Sequence, residues 1–103
     1  MDDWSRALSL LRRHKIKWVD TAVLDGLAQD GVFRQIYAAR PVDARTFAIF
    51  CHEVGHILGS GEVESWNFAL SQAREFGLPV GEVKRAIRVY LFQNAPLLLP
   101  HFQ

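Results

Sequence analysis

An α+β fold is predicted for this chain of 103 residues by three observations. Apolar residues recur at the helical period in several separate stretches. One intervening region, residues 15–37, alternates polar and apolar side chains or is rich in β-branched and aromatic residues. Glycine and proline fall between these stretches, where a chain must turn.

Residues 3–13 read as an amphipathic helix, with Trp4, Ala7, Leu8 and Leu11 on one face and Arg6, Arg12 and Arg13 off it. Lys15 to Asp20 alternates as a half-buried strand does, and Thr21 to Leu24 continues that strand or begins another. Asp25-Gly26 and Asp30-Gly31 are turn dipeptides, and Val32 to Tyr37 is β-rich, so a short two- or three-stranded antiparallel sheet is expected. Pro41 ends it, and Asp43 is placed to cap the next helix.

That helix spans residues 44–58. Phe47, Phe50, Cys51, Val54 and Leu58 form a stripe that would pack on the sheet, while His52 and His56 fall on the opposite side. Gly59-Ser60-Gly61 breaks it. A further helix covers residues 62–76, stopped by Gly77 and Pro79. Another covers 80–93, with Val83, Ile87, Tyr90 and Leu91 as its apolar face. Residues 95–103 form an apolar tail with two prolines, Pro96 and Pro100.

This length supports one domain, residues 1–103, with a single core. Apolar residues make up 50% and charged residues 22%, which marks a globular and not a disordered chain. A net charge of +1 gives no reason to expect nucleic acid or an anionic membrane as a partner. The apolar runs are too short to span a bilayer, and the acidic start Met1-Asp2-Asp3-Trp4 does not look like a signal peptide. One cysteine excludes an internal disulfide and suits a reducing compartment, so a cytoplasmic location is expected.

The chemistry concentrates in His52-Glu53-Val54-Gly55-His56, an H-E-x-x-H pattern. On a helix, residues four apart lie one above the other, so both imidazoles can reach one Zn²⁺. Glu53 projects beside them, where a carboxylate can act as general base towards a water activated by the ion. Such a site needs a third protein ligand. His14 and His101 are distant in sequence and read as surface residues, and Cys51 points into the apolar stripe. Glu62 and Glu64, just past the glycine break, are the better candidates. Glu62 completes H-E-x-x-H-x-x-G-x-x-E, and helical periodicity puts it on the Trp66/Ala69/Ala73 face, with Glu64 well round from it.

From about Ile36 to Pro79 the chain resembles the ImmA/IrrE family of metallopeptidases of phages, mobile elements and bacterial stress regulators. Arg45-Thr46-Phe47-Ala48-Ile49 leading into the motif is similar to that family's R-x-F-T-x-A-H-E-x-G-H segment. Glu64-Ser65-Trp66-Asn67-Phe68-Ala69 is similar to its E-A-D-x-F-A segment, with Trp66 where Asp or Asn is usual. The resemblance implies a small zincin-like domain with His52, His56 and Glu64 as zinc ligands, Glu62 being the alternative.

A zinc-dependent metalloendopeptidase acting on a regulatory protein, such as a transcriptional repressor, is therefore expected. Glu53 would be its catalytic base, and Tyr90, Tyr37 and Arg45 are candidates to assist the developing oxyanion. The alternative is a zinc-stabilised binding protein of a phage or mobile element that contacts a regulator without cutting it. A third possibility is an interaction module without metal, using the apolar tail with Trp4 and Trp18. A monomer or weak homodimer is expected.

Overall fold

The motif helix sits at the centre of the domain, in a computed structural model that describes residues 2–20, 28–30, 32 and 34–103. Helix α1 (Asp3–His14) is capped by Asp2, whose carboxylate accepts from Ser5 N. Strands β1 (Lys17–Asp20), β2 (Ala28–Asp30) and β3 (Gln35–Ala38) follow. Helices α2 (Ala44–Ile57), α3 (Glu62–Glu75) and α4 (Val80–Asn94) come next, and the tail folds as a 3₁₀ helix over Pro96–Phe102. The architecture is α+β and mostly helical.

The expected antiparallel sheet needs correction. Strand order is β1-β3-β2; β2 pairs antiparallel with β3, but β1 pairs parallel with it, in the register Trp18 to Ile36 and Val19 to Tyr37. Alternation reports which face of a strand is buried and not the direction of its neighbour. A parallel pair needs a crossover between its strands, and residues 21–34, which contain β2, supply that length. The first strand starts at Lys17, after a turn at Lys15, and Val32 and Arg34 lie in turns. The proposed strand at Thr21 to Leu24, the Asp25-Gly26 turn and Gly31 lie outside the described residues.

The core explains why α2 is central. Ile36 and Ala38 alternate inward from β3, and Ala7, Leu10 and Leu11 face inward from α1. Leu8 is half-buried, so the α1 face is rotated towards Leu10. All of α2 from Phe47 to Gly55 is buried, because α1, the sheet, α3 and α4 each contact it. The predicted stripe holds for Phe47, Phe50, Cys51 and Val54, whereas Leu58 is exposed at the C-cap. Each fully buried phenylalanine contributes roughly 1.5–3 kcal/mol, enough to fix the rotation of α2 and thus the direction of its histidines. Among the described residues, no helix is long and apolar enough to cross a membrane.

The start of α2 is fixed by a capping box. Asp43 accepts from Thr46 N at 2.9 Å, and Thr46 Oγ1 accepts from Asp43 N at 3.1 Å. Trp4 and Trp18 are half-buried and pack on each other: their rings meet at 4.6 Å, and Trp18 Nε1 donates to the Ala38 carbonyl.

Candidate metal centre

One helical turn brings the two histidines together. Their Nε2 atoms lie 3.0 Å apart. His52 is 6% exposed, and the ring is sealed by the face of Trp66. Helix α2 ends in a Schellman turn, with Gly59 N–H donating to the His56 carbonyl and Ser60 N–H to the Gly55 carbonyl. The turn needs a left-handed residue, which Gly59 provides at φ +89°. It also carries the Ser60 carbonyl to 3.1 Å from His56 Nδ1. A carbonyl only accepts, so Nδ1 holds a ring proton, and in the neutral imidazole Nε2 keeps its lone pair for the cluster.

Helix α3 closes over this end because Gly55 lets it approach. A Cβ at Gly55 would stand 3.0 Å from Ser65 Cα and 3.1 Å from its Cβ and Oγ. That contact brings the first turn of α3 over the imidazoles. Glu62 Oε1 lies 2.7 Å from His56 Nε2, and Glu62 Oε2 lies 3.2 Å from His52 Nε2. Glu64, preferred from the family resemblance, is exposed, and its carboxylate lies over the backbone of Gly61. The structure therefore brings the alternative, Glu62, and not Glu64, beside the two histidines. Both glutamates are exposed, but a period of about 3.6 residues puts Glu62, and not Glu64, on the side of α3 that carries Trp66, Ala69 and Ala73.

Glu53 is 2% exposed, and its Oε2 has no hydrogen-bond partner among the described residues. Burial, then the charge of Glu62, pushes its carboxyl up to about 7. Burial pushes His52 the other way, down to about 4, helped by neighbouring His56 and opposed by Glu62. His52 is thus neutral near pH 7, the form a metal ligand needs. The cluster opens into a cleft of about 360 Å³ walled by Trp66, Tyr90, Leu91, Asn94 and Ala95.

The other candidates are placed as follows. Tyr90 is half-buried and lines the cleft, its ring 5.1 Å from that of Trp66. Arg45 lies behind it, its guanidinium 6.0 Å from the Tyr90 ring centre, and does not line the cleft. Tyr37 is a half-buried sheet residue away from the cluster. His14 packs near Phe68 and His101 is exposed, so neither joins the site. Cys51 is fully buried, and burial pushes its thiol up, as an inert core residue. Trp66 carries the greatest weight that sequence reasoning missed; its place four residues after Glu62 on the same face was the available signal. Asn94 and Ala95 belong to no motif and gave none.

The donor set fits a divalent cation. His52, His56 and Glu62 each offer one ligand atom, all within 4.8 Å of one another. Tetrahedral coordination at about 2.0–2.1 Å places donor atoms roughly 3.3 Å apart, close to the spacings present. One imidazole proton serves one of these contacts well, whereas a cation serves all of them. An ion pair with protonated His52 would make the same contacts, but burial disfavours that proton. Two imidazoles with a carboxylate suit zinc chemistry. Compared with family models, curated proteins and solved structures, the chain matches none of them.

Proposed function

We propose that this chain is a zinc-dependent metalloendopeptidase-like hydrolase of small zincin-like fold, acting on a peptide bond in a regulatory protein. The observation that carries the reading is the pairing of converging His52, His56 and Glu62 with a buried carboxylate, Glu53, at the mouth of one cleft. The resemblance to ImmA/IrrE metallopeptidases supports it with Glu62 in place of Glu64 as third ligand.

His52, His56 and Glu62 would hold zinc, which when bound would supply Lewis acidity for a carbonyl and for water. Glu53 moves the proton. Its Oε2, free of any hydrogen bond among the described residues, accepts a proton from water and returns it to the leaving amine. A bound dication would lower the Glu53 pKa and so favour the ionised form that a base needs. Trp66 and Leu91 exclude water from one side of the cleft, and the Asn94 amide provides a polar edge for a peptide.

Glu53→Gln is the test. It should leave one zinc bound per chain and reduce peptide hydrolysis by about 10²–10⁴-fold. Equal turnover by both forms refutes the mechanism. Zinc binding with no hydrolysis by the unaltered chain, while a regulator is bound intact, assigns the alternative binding role.

A further inference from the structure

A metal ligand must have its ring plane fixed so that its lone pair is aimed. His56 is fixed by the hydrogen bond from Nδ1 to the Ser60 carbonyl. His52 is held differently. Its Nδ1 lies 3.7 Å from Glu53 Oε1, beyond hydrogen-bond reach. Instead the Trp66 indole lies on its face, with centroids 3.8 Å apart and planes 10° from parallel. Tyr90 stands against Trp66 at 5.1 Å with a 52° tilt, and the Arg45 guanidinium lies over the Tyr90 ring at 6.0 Å. These contacts run from the first turn of α2 through α4 and α3 and back to α2, ending on the motif's first histidine.

We propose that Trp66, backed by Tyr90 and Arg45, is a ring ladder that positions His52 for metal binding. This rests on the metal-centre reading above. Tyr90 and Arg45 are then positioning residues that act through Trp66, and not donors to an oxyanion. Three features point this way. Trp66 is 1% exposed and cannot swing aside. Its Nε1 has no hydrogen-bond partner among the described residues, so the ring face and not the N–H is what the fold uses. An imidazole that donates its lone pair to a cation becomes electron-poor, and an electron-rich indole face attracts it.

The test uses the full chain, with Zn²⁺ affinity measured by competition against a chromogenic chelator, and each metal-free variant checked by thermal melt. Trp66→Phe and Tyr90→Phe keep a ring and should bind within about threefold of the unaltered chain. Trp66→Leu and Tyr90→Leu remove the ring and should weaken binding about 10–100-fold, the range for loss of a ligand's outer partner. Co²⁺ should quench tryptophan emission in the unaltered chain, and most of that quenching should vanish in Trp66→Phe. Should Trp66→Leu fail to fold, the half-buried Tyr90 pair decides the matter. Leucine variants that bind as tightly as their phenylalanine counterparts overturn the ladder, as does unchanged quenching in Trp66→Phe. An unaltered chain that binds no Zn²⁺ overturns the metal centre itself, and the ladder with it.

Discussion

Replacing Gly55 by Ala isolates the contact on which the site depends. In an open helix this substitution stabilises by about 0.8–1 kcal/mol, because glycine loses more backbone freedom on folding. At Gly55 the new Cβ meets the α3 backbone: Ser65 Cα would be 3.0 Å away, and its Cβ and Oγ 3.1 Å. Carbon atoms pack best at about 3.5–4.0 Å, so α3 must retreat by roughly half an ångström. Ser65 is fully buried, and the neighbouring Trp66 is locked in the core, which resists that retreat. Overpacking of this kind costs about 1–3 kcal/mol. The clash outweighs the propensity gain, for a net loss near 1 kcal/mol, or about 4–8 °C in Tm for a domain of this size.

Gly81 provides the control. It lies in the first turn of α4, and a Cβ there meets nothing within 4 Å. Gly81→Ala should therefore stabilise, by about 0.5 kcal/mol. Urea melts of both variants, metal-free, compare the signs directly. A Gly55→Ala variant as stabilised as Gly81→Ala would refute the claim that close approach at Gly55 sets the position of α3. The retreat should also draw Glu62 away from the histidines, so Zn²⁺ affinity should fall in Gly55→Ala and not in Gly81→Ala.

Glu62→Gln should weaken Zn²⁺ binding at least tenfold and Glu64→Gln by less than about twofold, read by the same chelator competition; the reverse order would restore the family-derived choice. Chelation should lower the Tm of the zinc-loaded chain, since a ligand at a thousand times its Kd stabilises by about 4 kcal/mol, and should barely move Glu62→Gln. Asp43 is held below its ordinary pKa by the hydrogen bonds from Thr46 N and Oγ1. A depressed folded pKa stabilises above the unfolded value and is lost as pH falls through the folded one. Asp43→Ala should thus be less stable by about 1 kcal/mol at pH 7, and the gap should close below pH 4, where the unaltered chain also loses the charged cap.

The helices were legible because their signals are local. Asp43 as a cap, the glycine break and Pro79 depend on neighbours a few residues away, and those elements lie where the sequence puts them. The sheet was legible only as strands. Ile36 and Ala38 point inward as alternation requires, but the partner of β3 on each edge is set by chain path and not by side-chain pattern. The environment of α2 was misjudged for a related reason. A stripe implies one buried face, yet Ala48, Ile49, His52 and Glu53 off that stripe are buried too, because α1, the sheet, α3 and α4 all contact this helix. Polar residues on a helix read as solvent-facing unless a later element is known to cover them.

The choice between Glu62 and Glu64 shows how two kinds of inference separate. Periodicity is a geometric constraint: if α3 is one helix, Glu62 and Trp66 must share a face, and Glu64 cannot join them. Resemblance transfers a role from one chain to another and assumes that the local frame carries over. Here Gly61 precedes the helix and Trp66 occupies a core position, so the rotation of α3 is fixed by burying Trp66, Ala69 and Ala73. A two-residue step along a helix turns a side chain by about 200°, which no rearrangement of one carboxylate can offset. Packing of the indole therefore decides which glutamate faces the histidines.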